Sequence, residues 1–168
     1  VDITAVMQRI QRIKDQIGEH EQPETFEKMG AEVKMGGARF IDPHTIEIGS
    51  SERASADKFV LATGSHAVNP DIPVLDAVEA LNHVSIFHID KLPARLAVIG
   101  GGPIGCEMGQ ALARLGSQVT ILQRGARLLH LEDPEVSHVL LNALEKEGIA
   151  VHLNTHIRLV EPDGSAQR

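Results

Sequence analysis

The chain contains no tryptophan or tyrosine, and Cys106 is its single cysteine. One cysteine excludes a disulfide framework and a redox-active cysteine pair within this stretch, and it is typical of a cytosolic protein. No apolar run is long enough to cross a membrane. A formal net charge of -7, with no tryptophan or tyrosine, argues against a general nucleic-acid-binding surface. We therefore expect a cytoplasmic protein that binds neither nucleic acid nor a membrane.

The start of the chain, Val1-Asp2-Ile3, has neither an initiator methionine nor a basic segment followed by an apolar core. This pattern predicts a trimmed fragment of a longer protein rather than a signal peptide. The apolar fraction of 42% suits a globular protein, and 168 residues are enough for one domain or for parts of two.

An apolar run, Leu96–Ile99, leads directly into three spaced glycines, and a helical pattern follows at once. Gly100, Gly102 and Gly105 fit the G-x-G-x-x-G fingerprint of dinucleotide-binding sites. The first glycine permits a tight turn, the second lets a pyrophosphate approach the main chain, and the third lets the helix pack close to the strand. The helix N-terminus then directs unpaired N–H groups at the phosphates. The pattern predicts nucleotide binding; the alternative is a glycine-rich turn in another α/β protein.

The residues from Arg95 onward alternate regularly between strand and helix patterns. Pro103 suits a first helical turn because its missing N–H would be unpaired there, and Gly116 suits a helix end. The order strand–helix–strand–helix–strand is half of a Rossmann fold and predicts a parallel sheet in a domain spanning 93–168. The predicted elements are strand 95–99, helix 103–115, strand 118–122, helix 134–147, strand 149–153 and a further strand at 157–160.

The first part of the chain, 1–92, has a different pattern. Apolar residues at helical spacing begin it, and closely spaced short strands then predict a small antiparallel excursion. The proline-containing connector 66–92 follows, so we place the domain boundary near Leu92. The predicted elements of this part are helices over 3–18 and 24–29 and strands over 32–35, 38–41, 45–48 and 58–61.

The choice of nicotinamide cofactor is usually made at the end of the second strand, about 20 residues after the first glycines. An acidic side chain there favours NAD, but this chain has Gln123, followed by Arg124 and Arg127. A neutral amide does not repel a 2′-phosphate, and guanidinium groups bind phosphate oxygens in a bidentate manner. We therefore predict a preference for NADP over NAD; the alternative is that both arginines are merely solvated.

Four other features have two interpretations each. Glu107 lies one turn into the fingerprint helix, where it could approach the nicotinamide ribose or simply be stabilised by the helix dipole. Cys106 fits a buried helix cysteine better than a nucleophile. The small-residue end of Lys58–Ser65 allows close approach of a cofactor, or is an ordinary strand exit. His152 and His156 fall in a strand-and-turn pattern, so we predict no metal site.

With these residues considered, the chain resembles the flavin-dependent pyridine nucleotide–disulfide oxidoreductases, and it is most similar to their dihydrolipoamide dehydrogenase and mercuric reductase branch. Ala62–Ser65 and Gly100–Glu107 carry the resemblance, together with the connector between them that ends in Leu92-Pro93. Phe40–Thr45 is a further similar stretch. The combination of two motifs is more specific than either alone.

The resemblance implies the later part of an FAD-binding domain over 1–92 and the opening part of an NAD(P)-binding domain over 93–168. In such an enzyme hydride passes from NAD(P)H to FAD and then to a cysteine pair or another acceptor. By the family pattern Thr63 and Gly64 lie against FAD, Gly37-Ala38 lies near its adenine, and Glu107 lies near nicotinamide and flavin. The three fingerprint glycines would hold the pyrophosphate of the nicotinamide cofactor.

The departures from the family are equally informative. The resemblance implies a first FAD fingerprint, a cysteine pair, and a dimerisation domain, none of which is present in this sequence. We therefore expect the chain alone to be inactive and to bind FAD poorly, and the full-length enzyme to be a homodimer. Gln123 replaces the acidic residue of NAD-using members and favours an NADPH-using, mercuric-reductase-like relative. The alternative function is a nucleotide-binding or redox-sensing module of the same fold without turnover.

Overall fold

The computed structural model describes residues 1–73, 75, 78 and 80–161, which fall into two compact units. One unit contains Val1–Arg9 and the described residues from Ala67 onward, and the other is Ile10–His66. The end of the second predicted domain, 162–168, lies outside the described residues. The helices are α1 (Ile3–His20), α2 (Pro23–Lys28), α3 (Pro103–Leu115) and α4 (Pro134–Lys146), and the strands are β1 (Ala38–Asp42), β2 (Thr45–Ile48), β3 (Glu52–Ser55), β4 (Arg95–Ile99), β5 (Gln118–Leu122) and β6 (Ala150–His152).

The first unit is built on a three-stranded parallel sheet in the order β4-β5-β6. Strand β4 pairs with β5 from Arg95 opposite Gln118 to Ile99 opposite Leu122. In the chain α3 connects β4 to β5, and α4 precedes β6. The predicted Rossmann half is confirmed by this alternation and pairing. Because the strands are parallel, the carboxyl ends of β4 and β5 lie at the same edge of the sheet, where nucleotides bind in such folds.

A single buried cluster holds the parallel sheet and its helices together. Its members come from α3, β5 and α4, from the segments that follow β5 and α4, and from a short 3-10 helix at Ser85–His88, so the cluster joins the sheet to both helices. Gly109 of α3 lies where a side chain would contact Ile121 and Val119 of β5, which lets the helix approach the sheet closely. The buried residues are Ile86, Cys106, Leu112, Val119, Ile121, Leu128, Leu144 and Ile149.

The second unit contains the predicted antiparallel excursion, and the structure confirms it as a sheet in the order β1-β2-β3. The prediction missed β3, since Glu52–Ser55 contains no β-branched or aromatic residue. Strand β3 forms because it pairs with β2, with Ile48 opposite Glu52 and Thr45 opposite Ser55. Gly49 has a φ of +61°, which suits the turn that connects the two strands.

Three predicted strands, 32–35, 58–61 and 157–160, are wrong. Their residues suit a strand, but a strand also needs a neighbour that completes its main-chain hydrogen bonds, and the described residues supply no such neighbour. Val60 is 92% exposed as a result. Phe59 makes a side-chain contact instead, edge-on to Phe40 with ring centroids 4.9 Å apart.

Helix α3 is joined to the end of α4 by an exposed ion pair. Arg114 donates to Glu147 through Nε at 2.8 Å, and Gln110 donates to the same carboxylate at 2.8 Å. The hydrogen bond from Arg114 lowers the pKa of Glu147. No helix within the described ranges is both long and apolar enough to cross a membrane.

Glu147→Gln is expected to reduce the acid sensitivity of this unit slightly. A lowered folded pKa contributes stability that is present above the ordinary glutamate pKa and is lost as the pH falls through the folded value. Urea unfolding followed by circular dichroism, between about pH 6 and about pH 3, measures this slope. Glu145→Gln, an exposed change on the same helix, is the control, and an identical slope in both variants would contradict the prediction.

Candidate dinucleotide-binding site

The glycine turn lies at the carboxyl edge of the parallel sheet, between β4 and α3. Gly100 has a φ of +105°, a conformation that other residues rarely adopt, and its N–H donates to the Leu122 carbonyl at 2.9 Å. This bond extends the pairing of β4 and β5 by one step. The chain can therefore turn sharply away from the sheet directly after its last strand bond.

Gly105 and Gly102 have different surroundings. A side chain at Gly105 would overlap the Gly100 carbonyl and lie 3.3 Å from Val98 Cγ1, so this glycine lets α3 begin against the turn and β4. A side chain at Gly102, by contrast, would meet no atom within 4 Å. The N–H groups of Gly102, Ile104 and Gly105 have no acceptor in the described part of the chain. An open main-chain surface with unpaired donors at a helix N-terminus can bind a diphosphate.

Gly101 is a constrained position of the glycine turn that the sequence pattern did not identify. It is buried, and a side chain there would overlap Leu128 Cδ2. Its N–H donates to Gln123 Oε1 at 3.0 Å, and its carbonyl accepts from the Leu129 N–H at 2.8 Å. The only signal in the sequence was that the middle residue of Gly100–Gly102 is also a glycine. The fingerprint permits any residue at that middle position.

The segment after β5 contains the residues predicted to choose the cofactor. The amide of Gln123 is bonded within the protein, since its Nε2 also donates to the Arg127 carbonyl at 3.2 Å. Arg127 Nη2 donates to the His130 carbonyl at 2.8 Å. Arg124 is exposed and has no hydrogen bond or ion pair among the described residues. This segment therefore offers a free guanidinium group beside the glycine turn.

Cys106 and Glu107 point in different directions from α3. Cys106 is 4% exposed, and its thiol donates to the Gly101 carbonyl at 3.6 Å, so the predicted buried cysteine is confirmed. Burial raises the pKa of this thiol, and the charge of Glu107 raises it further, which keeps it protonated. Glu107 itself is exposed and is the fifth residue of the helix. The helix dipole is strongest in the first turn, and Glu107 lies beyond that turn. The expectation that the dipole stabilises Glu107 is therefore wrong.

The predicted flavin-contacting residues belong to the other unit. Ala38 is the first residue of β1 and pairs with Ile48, whereas Thr63 and Gly64 lie in a segment outside any helix or strand. Ala38, Thr63 and Gly64 are all exposed, and Gly64 has a φ of +72°. Within the described residues no hydrogen bond joins Ala38 to Thr63 or Gly64. The structure thus joins Gln123 to the glycine turn and to Arg127 by hydrogen bonds, whereas the flavin candidates share no hydrogen bond among the described residues.

Known proteins are similar to this sequence over most of its length. The family model described as pyridine nucleotide-disulphide oxidoreductase matches residues 3–168. The chain is 39% identical over 139 residues to a mercuric reductase of Bacillus cereus, which is 83% of this chain and 22% of the relative. It is 29% identical over 164 residues to a dihydrolipoyl dehydrogenase of Bacillus subtilis, or 96% of this chain and 36% of the relative. The chain therefore spans well under half the length of these curated relatives.

The fold is also similar to solved structures. A Cu(II) complex of the HOCl-induced flavoprotein disulfide reductase RclA from Escherichia coli matches with a TM-score of 0.78 and 26% sequence identity. The match covers 94% of this chain and 37% of that one. With a family match over 3–168 and a glycine turn at the edge of a parallel sheet, this chain belongs to the pyridine nucleotide-disulphide oxidoreductase family.

Proposed function

We propose that the glycine turn and the N-terminus of α3 bind the diphosphate of a nicotinamide dinucleotide. The observation that carries the proposal is the open main-chain surface at Gly102, where three N–H groups have no acceptor in the described residues. The helix adds about half a positive charge at the same end. Gly100 and Gly105 support the proposal because each allows a backbone arrangement that a larger residue would prevent.

We propose further that NADP is preferred to NAD. Arg124 is exposed and unpaired in the described part of the chain, so its guanidinium group is available to a 2′-phosphate. Arg127 is partly buried and already donates to a carbonyl, and it supplies a second positive charge nearby. Gln123 is neutral and its amide is bonded internally, so it neither repels a phosphate nor offers the carboxylate that favours NAD.

For the longer protein we propose the family's activity, in which FAD accepts hydride from the nicotinamide and passes electrons to a disulfide or similar acceptor. Exposed small residues at Ala38, Thr63 and Gly64 would hold FAD, and the left-handed backbone at Gly64 lets the main chain face a ligand. Glu107, exposed on α3, would approach the nicotinamide. We propose that the longer protein is a cytoplasmic homodimer.

Titration calorimetry with NADP⁺ and NAD⁺ tests the nicotinamide proposal directly. We expect the chain to bind NADP⁺ more tightly, and Arg124→Met to weaken NADP⁺ about tenfold while NAD⁺ is unchanged, because a charged hydrogen bond is lost. Arg95→Met is the control. Arg95 is exposed at the start of β4, at the amino end of the sheet and away from the glycine turn. Equal or tighter binding of NAD⁺ would contradict the preference, and binding of neither would contradict the site.

A further inference from the structure

Gln123 forms two hydrogen bonds to the main chain through its side-chain amide. Its Oε1 accepts from the Gly101 N–H at 3.0 Å, and its Nε2 donates to the Arg127 carbonyl at 3.2 Å. One bond reaches the glycine turn, and the other reaches the loop that carries Arg124. We propose that Gln123 is a positioning residue that joins this arginine loop, 123–127, to the glycine turn, so that the groups for the diphosphate and the 2′-phosphate are held as one unit.

Main-chain hydrogen bonds also hold Gln123 and the glycine turn in place. The Gln123 N–H donates to the His152 carbonyl at 2.8 Å, and the Gln123 carbonyl accepts from the Thr155 N–H at 3.0 Å. On the far side the Leu129 N–H donates to the Gly101 carbonyl at 2.8 Å. The peptide groups on both sides of Gly101 are therefore fixed by the segment after β5. Loss of the amide would release one of these two attachments and loosen the turn.

The chemistry of the two bonds explains why a glutamine is needed. The Gly101 N–H requires an acceptor, and the Arg127 carbonyl requires a donor, and only an amide offers both at neutral pH on this side-chain length. A glutamate would still accept from Gly101, but its carboxylate would repel the Arg127 carbonyl. A methionine of similar length would offer neither bond. Glutamine, glutamate and methionine are nearly equal in size. A comparison of the three therefore separates the effect of the acceptor bond from the effect of the donor bond.

The proposal rests on the proposed nicotinamide site, and Gln123→Met tests it. We expect this variant to bind NADP⁺ about tenfold more weakly, with a smaller loss for NAD⁺, because both the turn and the arginine loop are released. Gln118→Met makes the same change at the other end of β5, where the side chain is exposed and unbonded among the described residues, and should bind like the wild type. Wild-type affinities in Gln123→Met would overturn the proposal.

Gln123→Glu adds a pH-dependent test. We expect its NADP⁺ affinity, divided by that of the wild type at each pH, to be low at about pH 7 and to recover only as the pH falls to about 4, near the ordinary glutamate pKa, because a protonated carboxyl can donate to the Arg127 carbonyl. Division by the wild-type value removes the titration of the ligand phosphate. Gln123→Met separates this effect from simple charge repulsion, since a role through charge alone would leave that neutral variant unimpaired. Such a result would overturn the proposal.

A double-mutant cycle and hydrogen exchange complete the test. If Gln123 positions Arg124, the cost of Arg124→Met for NADP⁺ binding should shrink in the Gln123→Met background, whereas additive costs would overturn the proposal. Exchange of the Gly101 N–H should accelerate about tenfold in Gln123→Met without any ligand. If the wild type binds neither dinucleotide, the proposed function fails; if it binds and Gly101 exchange is unchanged, only the positioning role fails.

Discussion

Gly105→Ala is expected to lower the free energy of unfolding by about 3 kcal/mol and to abolish dinucleotide binding. The new methyl group would overlap the Gly100 carbonyl and would lie 3.3 Å from Val98 Cγ1. Neither neighbour can withdraw easily, because Gly100 is bonded to β5 through its N–H and Val98 lies within the pairing of β4 with β5. Helix α3 would therefore have to move away from β4.

Gly102→Ala is the matched control for this prediction. A methyl group at Gly102 meets no atom within 4 Å, and the backbone there has a φ of -79°, which alanine adopts freely. We expect its stability to stay within about 0.5 kcal/mol of the wild type, while its methyl group blocks the diphosphate and weakens NADP⁺ binding at least about tenfold. The pair thus separates loss of packing from loss of the ligand surface.

Urea unfolding followed by far-ultraviolet circular dichroism measures both stabilities, since the chain has no tryptophan or tyrosine for fluorescence. Titration calorimetry with NADP⁺ measures binding in the folded variants. Gly105→Ala with wild-type stability would contradict the close approach of α3 to the turn. Gly102→Ala with wild-type affinity would contradict the proposal that the diphosphate rests on that main chain.

The parallel sheet could be predicted from sequence because its signals are local. Strand β4, the glycine turn and α3 follow one another without interruption, and Pro103 and Gly116 mark the ends of the helix. The antiparallel unit was harder, because its strands depend on their neighbours. The alternating residues 32–35 pair with no strand in the described part of the chain, whereas Glu52–Ser55 forms a strand through β2 despite an unsuitable composition.

In the candidate site, too, residues fixed by a local motif could be predicted, and residues fixed by distant contacts could not. Gly100 and Gly105 were predicted from a motif whose physical requirements are contained in six residues. The role of Gly101 could not be predicted, because it depends on contacts with residues that are 22 or more positions away, such as Gln123 and Leu128. Leu129 adopts a φ of +45°, which is rare for leucine, and in that conformation its N–H donates to the Gly101 carbonyl at 2.8 Å. Such tertiary constraints leave no pattern in the sequence.

Leu128→Ala is expected to destabilise the unit by about 3 kcal/mol, because this side chain is 1% exposed and belongs to the central cluster. It should also weaken NADP⁺ binding, since Leu128 lies against Gly101 and precedes the residue whose N–H holds that glycine. Leu131→Ala, in the same loop but 87% exposed, is the control and should change stability by no more than about 0.5 kcal/mol. Equal effects of the two changes would contradict the buried position of Leu128.

The double variant Gly101→Ala with Leu128→Ala tests the contact itself. Gly101→Ala alone should destabilise the protein, because its methyl group overlaps Leu128 Cδ2 and this leucine, 1% exposed within the central cluster, would have to repack. In the double variant the methyl group enters the space that the leucine has left, so the combined loss should be smaller than the sum of the single losses by about 1 kcal/mol or more. Additive losses would mean that Gly101 and Leu128 do not pack together. A coupling of this size would instead show that Gly101 of the glycine turn and Leu128, the residue after the arginine loop, are packed against each other before any ligand binds.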